Sequence, residues 1–332
     1  MSTSPSSHSP RPSVLSTISS FYDSLSTTPT LSSTPSDHDL RIAYYNINSI
    51  THEKLDLCLS RMITLHLDIL ILLDTRQWRH HHLQRYRQQC LDRLGPGASI
   101  HCAASLPHRH SRSNRPDFIT AVGGQFIIKS PRLPAFTSYE TDPTNTGSLS
   151  SLTLHMGRAD LLLVGAYIPV PNSNNTGSLH SKISSSTTRQ GSSLNPHDYL
   201  HDIIHKTLRR HHRAQHTGTI IGGDFNAAWS PKDPQGTLPP ISDWASGSSL
   251  LSPHDTLGSP REPTHYQGDR PVSCIDHILY HGTVLTPTGI HTDTSPGWGP
   301  SDHRPVIASF TINGWDQPYP CPPQTTPSLS PA

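Results

Sequence analysis

The longest uninterrupted apolar run in these 332 residues is Ile69–Leu73, far short of the roughly 18 to 20 residues needed to cross a bilayer. A membrane span is therefore not expected. The N-terminal stretch MSTSPSSHSPRPSVLSTISS lacks the apolar centre of a secretory signal, and Pro10 and Pro12 would interrupt an amphipathic import helix. Cysteine is scarce, and Cys58, Cys90, Cys102, Cys274 and Cys321 are odd in number and form no CxxC, which argues against a disulfide framework or zinc knuckle. The expected setting is a reducing one, nuclear or cytoplasmic rather than secreted. Charge of one sign is also missing: 25 Lys and Arg stand against 24 Asp and Glu, so any nucleic-acid contact must come from a local patch. Hydrophobic residues make up only 32 % of the chain, and so must be concentrated in part of it.

What is abundant sets the boundaries. Ser, Thr and Pro supply 25 of the first 36 residues, a composition too poor in apolar side chains to offset the entropy of ordering. Residues 1–37 are expected to be a disordered tail, 314–332 a Pro-rich disordered tail, and 38–313 the folded domain. Within it, short apolar bursts bounded by Gly, Pro and Ser predict strands at Arg41–Asn46, Asp68–Leu73, Gly124–Lys129, Leu149–Leu154, Asp160–Tyr167, Thr217–Gly222 and Pro305–Ile312. Helical spacing joins Leu55, Leu59, Met62 and Ile63, then Leu83, Cys90, Leu91 and Leu94, and predicts a third helix from Asp198 to about Arg213. The Ser- and Asn-rich segment 172–196 reads as a surface insertion. The fold class is an α/β (α+β) sandwich with strands at its centre.

Several polar strings stand at strand ends. In GGDFNA, Asp224 and Asn226 lie two apart after an apolar strand, which aims both side chains the same way and pairs a base with an orienting amide; an Asx turn closing a hairpin fits the string equally well. In SDHRPV, Asp302 offers a hard oxygen ligand and His303 an imidazole, while Ser301 alone would cap a turn. In SCIDHIL, Asp276 is flanked by apolar strand residues, and a carboxylate so placed needs a partner such as a histidine.

The order of these strings along the chain, N-I-N, D-I-L-x-x-x-D-T, A-Y-x-P, G-D-F-N, I-D-H-I-L and S-D-H, resembles the endonuclease/exonuclease/phosphatase superfamily. Within it, the stretch Thr264–Tyr280 is most similar to the apurinic-type endonuclease domains of non-LTR, LINE-type retrotransposons. The resemblance implies a DNase-I-like four-layer α/β sandwich of two packed mixed sheets flanked by helices. It also implies roles: Asn46, Asp74 and Asp302 near the metal; Tyr167 on the phosphate or leaving group; Asp224 and Asn226 on the attacking water; Asp276 paired with the catalytic His303; and Thr264 in support. Two positions depart from the family pattern, since Asp74 stands where the family has Glu and Leu73 where it has Gln.

The activity so implied is metal-dependent phosphodiester cleavage of DNA, leaving a 3′-hydroxyl, with Mg²⁺ or Mn²⁺ favoured by an oxygen-rich donor set. An apurinic-site or nonspecific nuclease, a phosphatase of small phosphoesters, and a decayed nucleic-acid-binding relic are the alternatives. The partner is DNA, through its phosphate backbone, with no membrane; the chain is expected to act as a monomer, and the reverse transcriptase of an intact element is not expected in it. The basic segments 79–87, 108–115 and 209–213 are candidates for backbone contact or simply solvated faces.

Overall fold

The computed structural model describes residues 39–109, 119–171, 175, 177–214, 216–230 and 238–315. The expected N-terminal tail and all but the first two residues of the expected C-terminal tail lie outside this set, as do residues 110–115 of the second basic segment.

A six-stranded sheet has the order β14 (Leu285–Thr292), β15 (Val306–Ile312), β1 (Asp39–Asn46), β2 (Ile69–Leu73), β6 (Gln125–Lys129), β3 (Ser99–Ala103). A five-stranded sheet has the order β13 (Asp276–His281), β10 (Thr217–Asp224), β9 (Ala159–Tyr167), β8 (Leu149–Met156), β7 (Phe136–Thr141). Two ribbons complete the strands: β4 (Leu106–Arg109) with β5 (Ile119–Val122), and β11 (His265–Gln267) with β12 (Arg270–Ser273).

Strand alternation builds the layers. Leu40, Ile42 and Tyr44 of β1 meet Leu161 and Leu163 of β9 and Ile220 of β10 in the cluster between the sheets. The intervening Ala43 and Tyr45 point the opposite way, onto Leu55, Cys58, Leu59 and Met62 of α1 (His52–Thr64) and Tyr86 and Cys90 of α2 (His80–Leu94). On the far side, Leu162 and Val164 of β9 pack on α3 (Leu179–Arg189) and α4 (Pro196–His211). The result is helix, sheet, sheet, helix, because the inner strands bury both faces.

Helix boundaries follow local chemistry. The Thr51 hydroxyl caps α1 by accepting from the Lys54 N–H, and four apolar residues at i, i+3, i+4 and i+7 face the sheet. Ile63, expected on that face, is 46 % exposed. Asn195 caps α4 and Pro196 occupies its first turn, so this helix begins two residues earlier than the apolar spacing suggests. The segment read as a surface insertion contains α3, whose Leu179, Ile183 and Thr187 are buried; its Ser-rich outer face hid the helix. Two short helices, α5 (Ile241–Gly247) and α6 (Pro253–Leu257), follow β10. Trp315, two residues past the expected domain end, is also buried, with the Arg132 guanidinium 5.5 Å from its ring centroid.

Parallel pairing decides where a site can form. β1 runs parallel to β2 across α1, and β9 parallel to β10 across α3 and α4. Their carboxyl ends converge at one rim, the usual place for a site in such sheets.

Candidate active site

The double glycine ahead of Asp224 has a packing reason. A Cβ on Gly222 would strike the Tyr44 ring at 2.5 Å, so only glycine lets the two sheets approach here while β10 stays straight. β10 then continues to Asp224, paired with Tyr167 of β9 on one side and Asp276 of β13 on the other. Asp224 Oδ1 accepts the Asn226 N–H at 2.9 Å, so the expected Asx turn is present, but it ends a central strand rather than closing a hairpin.

Five of the expected residues form one hydrogen-bonded network. The Asn46 amide donates to Asp224 Oδ2 at 2.9 Å, and His303 Nδ1 donates to Asp276 Oδ2 at 2.8 Å, with His303 Nε2 3.7 Å from Asp224 Oδ2. The Thr264 hydroxyl accepts the N–H groups of Ile275 and Asp276, each at 3.1 Å, which fixes the backbone from which Asp276 projects. Ser301 caps its turn, accepting from the His303 N–H and donating to the Asn46 carbonyl, and so ties the two motifs together. The ribbon β11–β12 docks beside them through Tyr266 N–H to the Asp302 carbonyl and Arg304 N–H to the Thr264 carbonyl, both 2.7 Å. Asn226 is anchored by its own amide to the Ile168 carbonyl at 2.8 Å.

Burial makes this network electrostatically taut. Desolvation and the neighbouring Asp276 carboxylate push the Asp224 carboxyl up to about 7, against the opposing pull of His303 and the Asn46 amide. Burial would depress His303, but Asp276 and Asp224 overcome it and raise the imidazole to about 10. Without a metal, His303 is thus an imidazolium at neutral pH, hydrogen-bonded to the Asp276 carboxylate and beside Asp224. Tyr167 is raised well above the usual phenol range, first by burial and then by the Asp74 and Asp224 carboxylates, and stays a neutral O–H donor. Asp302, held low by the Asn48 amide and His303 against the effect of burial, stays ionised.

Residues 43–303 match the sequence pattern of the Endonuclease/Exonuclease/phosphatase family. The chain belongs to this family. Solved structures carry the same fold: an AP endonuclease from Archaeoglobus fulgidus (16 % identity, 82 % of this chain and 100 % of that one, TM-score 0.54), an endonuclease/exonuclease/phosphatase from Beutenbergia cavernae DSM 12333 (14 %, 84 % and 72 %, TM-score 0.57), and a substituted form of the 3′ phosphatase NExo from Neisseria bound to product DNA hairpin (16 %, 81 % and 98 %, TM-score 0.52). No curated protein matches the chain. Members of the endonuclease/exonuclease/phosphatase family are hydrolytic nucleases and phosphatases that depend on a divalent metal.

The donor set fits such an ion. Two groups among the described residues, Asp224 with Asp276 and His303, and His265 with Asp302 and His303, hold donor atoms within 4.8 Å of one another. The second group adds a nitrogen donor, His265, to the oxygen-rich set expected from the sequence. His265 Nε2 lies 3.9 Å from Asp302 Oδ2, and the rings of His265 and His303 are 5.1 Å apart. Burial and the nearby His303 lower the His265 pKa, which favours the neutral, ligating form.

Asp74, expected at the metal, belongs to neither group. Its Oδ1 accepts the Gly123 N–H at 3.0 Å, and its Oδ2 accepts Arg76 Nε at 2.9 Å and Nη2 at 2.7 Å. Leu73, which stands where the family pattern has Gln, is fully buried between the sheets. Arg76, His265 and Asn48 were given no role from the sequence, although Asn48 closes the N-I-N string, Arg76 follows D-T and His265 follows Thr264. Among the basic segments, 79–87 starts at this rim, where His82 Nδ1 reaches Gln77 Oε1 at 3.3 Å. Segment 209–213 does not: His211 and His212 bond to Gly218 and Thr219, so it sits about 17 Å back along β10 from Asp224.

Proposed function

We propose that this chain is a divalent-metal-dependent DNA endonuclease that cleaves the bond between phosphorus and the 3′-oxygen, leaving a 3′-hydroxyl. The observation that carries the reading is the buried Asn46–Asp224–His303–Asp276 network at the convergence of the parallel strands. A phosphodiester resists attack because its oxygens repel a nucleophile, so a catalyst needs a base for water and donors for the developing negative charge.

Asp224 takes the proton of the attacking water, since its raised proton affinity matches a neutral working pH. The Asn46 amide occupies one Asp224 oxygen and sets the direction of the other. His303 donates to a nonbridging phosphate oxygen, held in place and in its charged form by Asp276. Tyr167, a neutral phenol, is a second donor and faces the departing 3′-oxygen, which takes its proton from solvent to become the 3′-hydroxyl, and Asn226 positions the water. Thr264 acts through Asp276. Asp302 and His265 are the open donors for Mg²⁺ or Mn²⁺, which when bound neutralises phosphate charge and lowers the pKa of coordinated water.

DNA as substrate is supported by two structural neighbours, an AP endonuclease and a phosphatase bound to a DNA hairpin. The LINE-type subfamily reading rests on Thr264–Tyr280, where the Thr264 hydroxyl meets Asp276, and a nick ending in a 3′-hydroxyl is the primer such an element uses. That role places the chain in the nucleus, acting as a monomer on duplex DNA.

The test is nicking of supercoiled plasmid by the full chain with Mg²⁺, Mn²⁺ or EDTA, followed by polymerase extension of the product. Metal-dependent nicks that a polymerase extends directly are expected. Nicks extendable only after phosphatase treatment would overturn the bond assignment, and absence of nicking alongside hydrolysis of a 3′-phosphate oligonucleotide would move the chain to the phosphatase branch.

A further inference from the structure

Lys54 is a basic side chain that the proposed chemistry does not use, in a place that does not suit a lysine. It is the third residue of α1, inside the N-terminal turn where the helix dipole disfavours a cation, and burial lowers its pKa. What it gains is three hydrogen bonds: its Nζ donates to the carbonyls of Ile47 at 2.9 Å, Asn48 at 3.1 Å and Ser49 at 2.9 Å. An ammonium has three N–H donors, so all of them are used inside the protein.

Those bonds shape the loop between β1 and α1. Three successive carbonyl oxygens turned to one point repel one another, and the ammonium is the charge that gathers them. Asn48 and Ser49 take φ +47° and +73° in doing so, left-handed conformations that non-glycine residues rarely adopt. With the carbonyls so turned, the Ser49 N–H donates to the Asp74 carbonyl at 2.8 Å and the Asn48 N–H to Asn46 Oδ1 at 3.1 Å. The second of these bonds decides which way the Asn46 amide faces: its oxygen is taken by Asn48, which leaves Nδ2 to donate to Asp224. The Asn48 side chain donates in turn to Asp302 Oδ1 at 3.1 Å. The lysine stem touches the other half of the site as well. Gly299, two residues before Ser301, lies so close over it that a Cβ there would meet Lys54 Cγ at 3.3 Å.

We propose that Lys54 is a positioning residue for phosphodiester cleavage. It acts through Asn48: by holding the three carbonyls it presents the Asn48 N–H to Asn46 and the Asn48 amide to Asp302, so that Asp224 meets an N–H donor and Asp302 is held in place. Without the ammonium the carbonyl oxygens spread apart, the Asn48 peptide rotates, and the Asn46 amide is free to turn its oxygen toward the Asp224 carboxylate, which sets two acceptors against each other. Lys54 itself makes no bond to substrate, and no covalent bond changes. The catalytic consequence rests on the phosphodiesterase reading, whereas the orientation of the Asn46 amide does not.

Two measurements on the full chain keep these parts separate. In the metal-free chain the Asn46 side-chain NH₂ pair is read by ¹⁵N–¹H NMR and assigned by its disappearance in Asn46→Ser. Its bonded proton is expected downfield in wild type and at the position of a free amide in Lys54→Met. For cleavage of a duplex oligonucleotide with Mg²⁺, Lys54→Met is expected to lower kcat about 10²-fold, the scale of a displaced catalytic group, with KM within about threefold of wild type. Lys54→Arg keeps the charge but brings a planar fork to three convergent carbonyls, and is expected to lose about tenfold in kcat. It carries both readouts if Lys54→Met fails to fold by circular dichroism. An unmoved Asn46 amide in a folded variant overturns the proposal, as does an unchanged kcat per folded molecule, which would leave Lys54 a stabilising residue only. A raised KM at unchanged kcat, with the salt slope of DNA binding reduced by about one, overturns it too and makes Lys54 a phosphate contact. If wild type cleaves no DNA while the amide moves as expected, the positioning stands and the nuclease reading alone falls.

Discussion

Among the described residues the dipeptide Asp-His occurs at 276–277 and again at 302–303, and these two histidines, both buried, have opposite electrostatic fates. His303 projects between the Asp276 and Asp224 carboxylates and rises to about 10. His277 follows Asp276 on β13, so strand alternation turns it to the other face, where it donates to the Ala227 carbonyl at 2.9 Å beside Phe225 and Trp229. Burial, aided by the nearby Arg261 and His254, lowers His277 to about 4 against the opposing pull of the Ala227 carbonyl and the Asp276 carboxylate. Identical local sequence thus yields a charged group at the site and a neutral one in the core, and what differs is the face of the sheet on which each ring lands.

The largest test of this contrast is loss of catalysis. His303→Gln is expected to reduce plasmid nicking about 10³-fold with the fold retained, and Asp276→Asn about 10²-fold, because one removes the donor and the other only its support. In His277→Gln, nicking per folded molecule is expected to stay within about twofold of wild type, while stability falls by about 2 kcal/mol in urea titration. Comparable loss of nicking at His277 and His303 would break the comparison.

Opposite pH limbs come next. His303 binds its proton more tightly when folded, so its contribution to metal-free stability is complete below pH 6.5 and is lost as pH rises through about 10. His277 excludes its proton when folded, so its contribution is complete above pH 6.5 and is lost as pH falls through about 4. Thermal unfolding across pH 4 to 10 should therefore show the alkaline limb flattened in His303→Gln and the acid limb flattened in His277→Gln. The smallest effect is expected at the distal end: Arg209→Ala with Arg213→Ala should change duplex affinity by less than about twofold, because these residues sit at the end of β10 away from Asp224. A larger drop in affinity would extend the DNA path to that end of the sandwich.

Legibility in the sequence followed burial. All seven strands expected from apolar bursts are present, among them β1, β2, β6, β9, β10 and β15, which lie inside the two sheets and carry near-continuous apolar runs. The missed β3, β7 and β14 are sheet edges. β14, LTPTGIHT, carries Pro287 beside a register shift, and β7 is half-exposed along its length, so neither holds the apolar pattern that betrays an inner strand. At the site, the residues that hydrogen-bond to one another stood in recognisable strings. Arg76 and His265 did not, because their meaning comes from what lies opposite: a guanidinium two residues from Asp74 acquires its role only when the left-handed turn folds it back, and His265 only when β11 bridges to His303.

The most direct measurement is NMR titration of the imidazole Cε1–H resonances of His303 and His277 in the metal-free chain, assigned by the His303→Gln and His277→Gln variants. The account predicts His303 protonated throughout the neutral range and losing its proton only near pH 10, with His277 neutral down to about pH 4. Two histidines titrating together near the ordinary value of about 6.5 would contradict it, because the network at the rim would then hold no charge that the core does not.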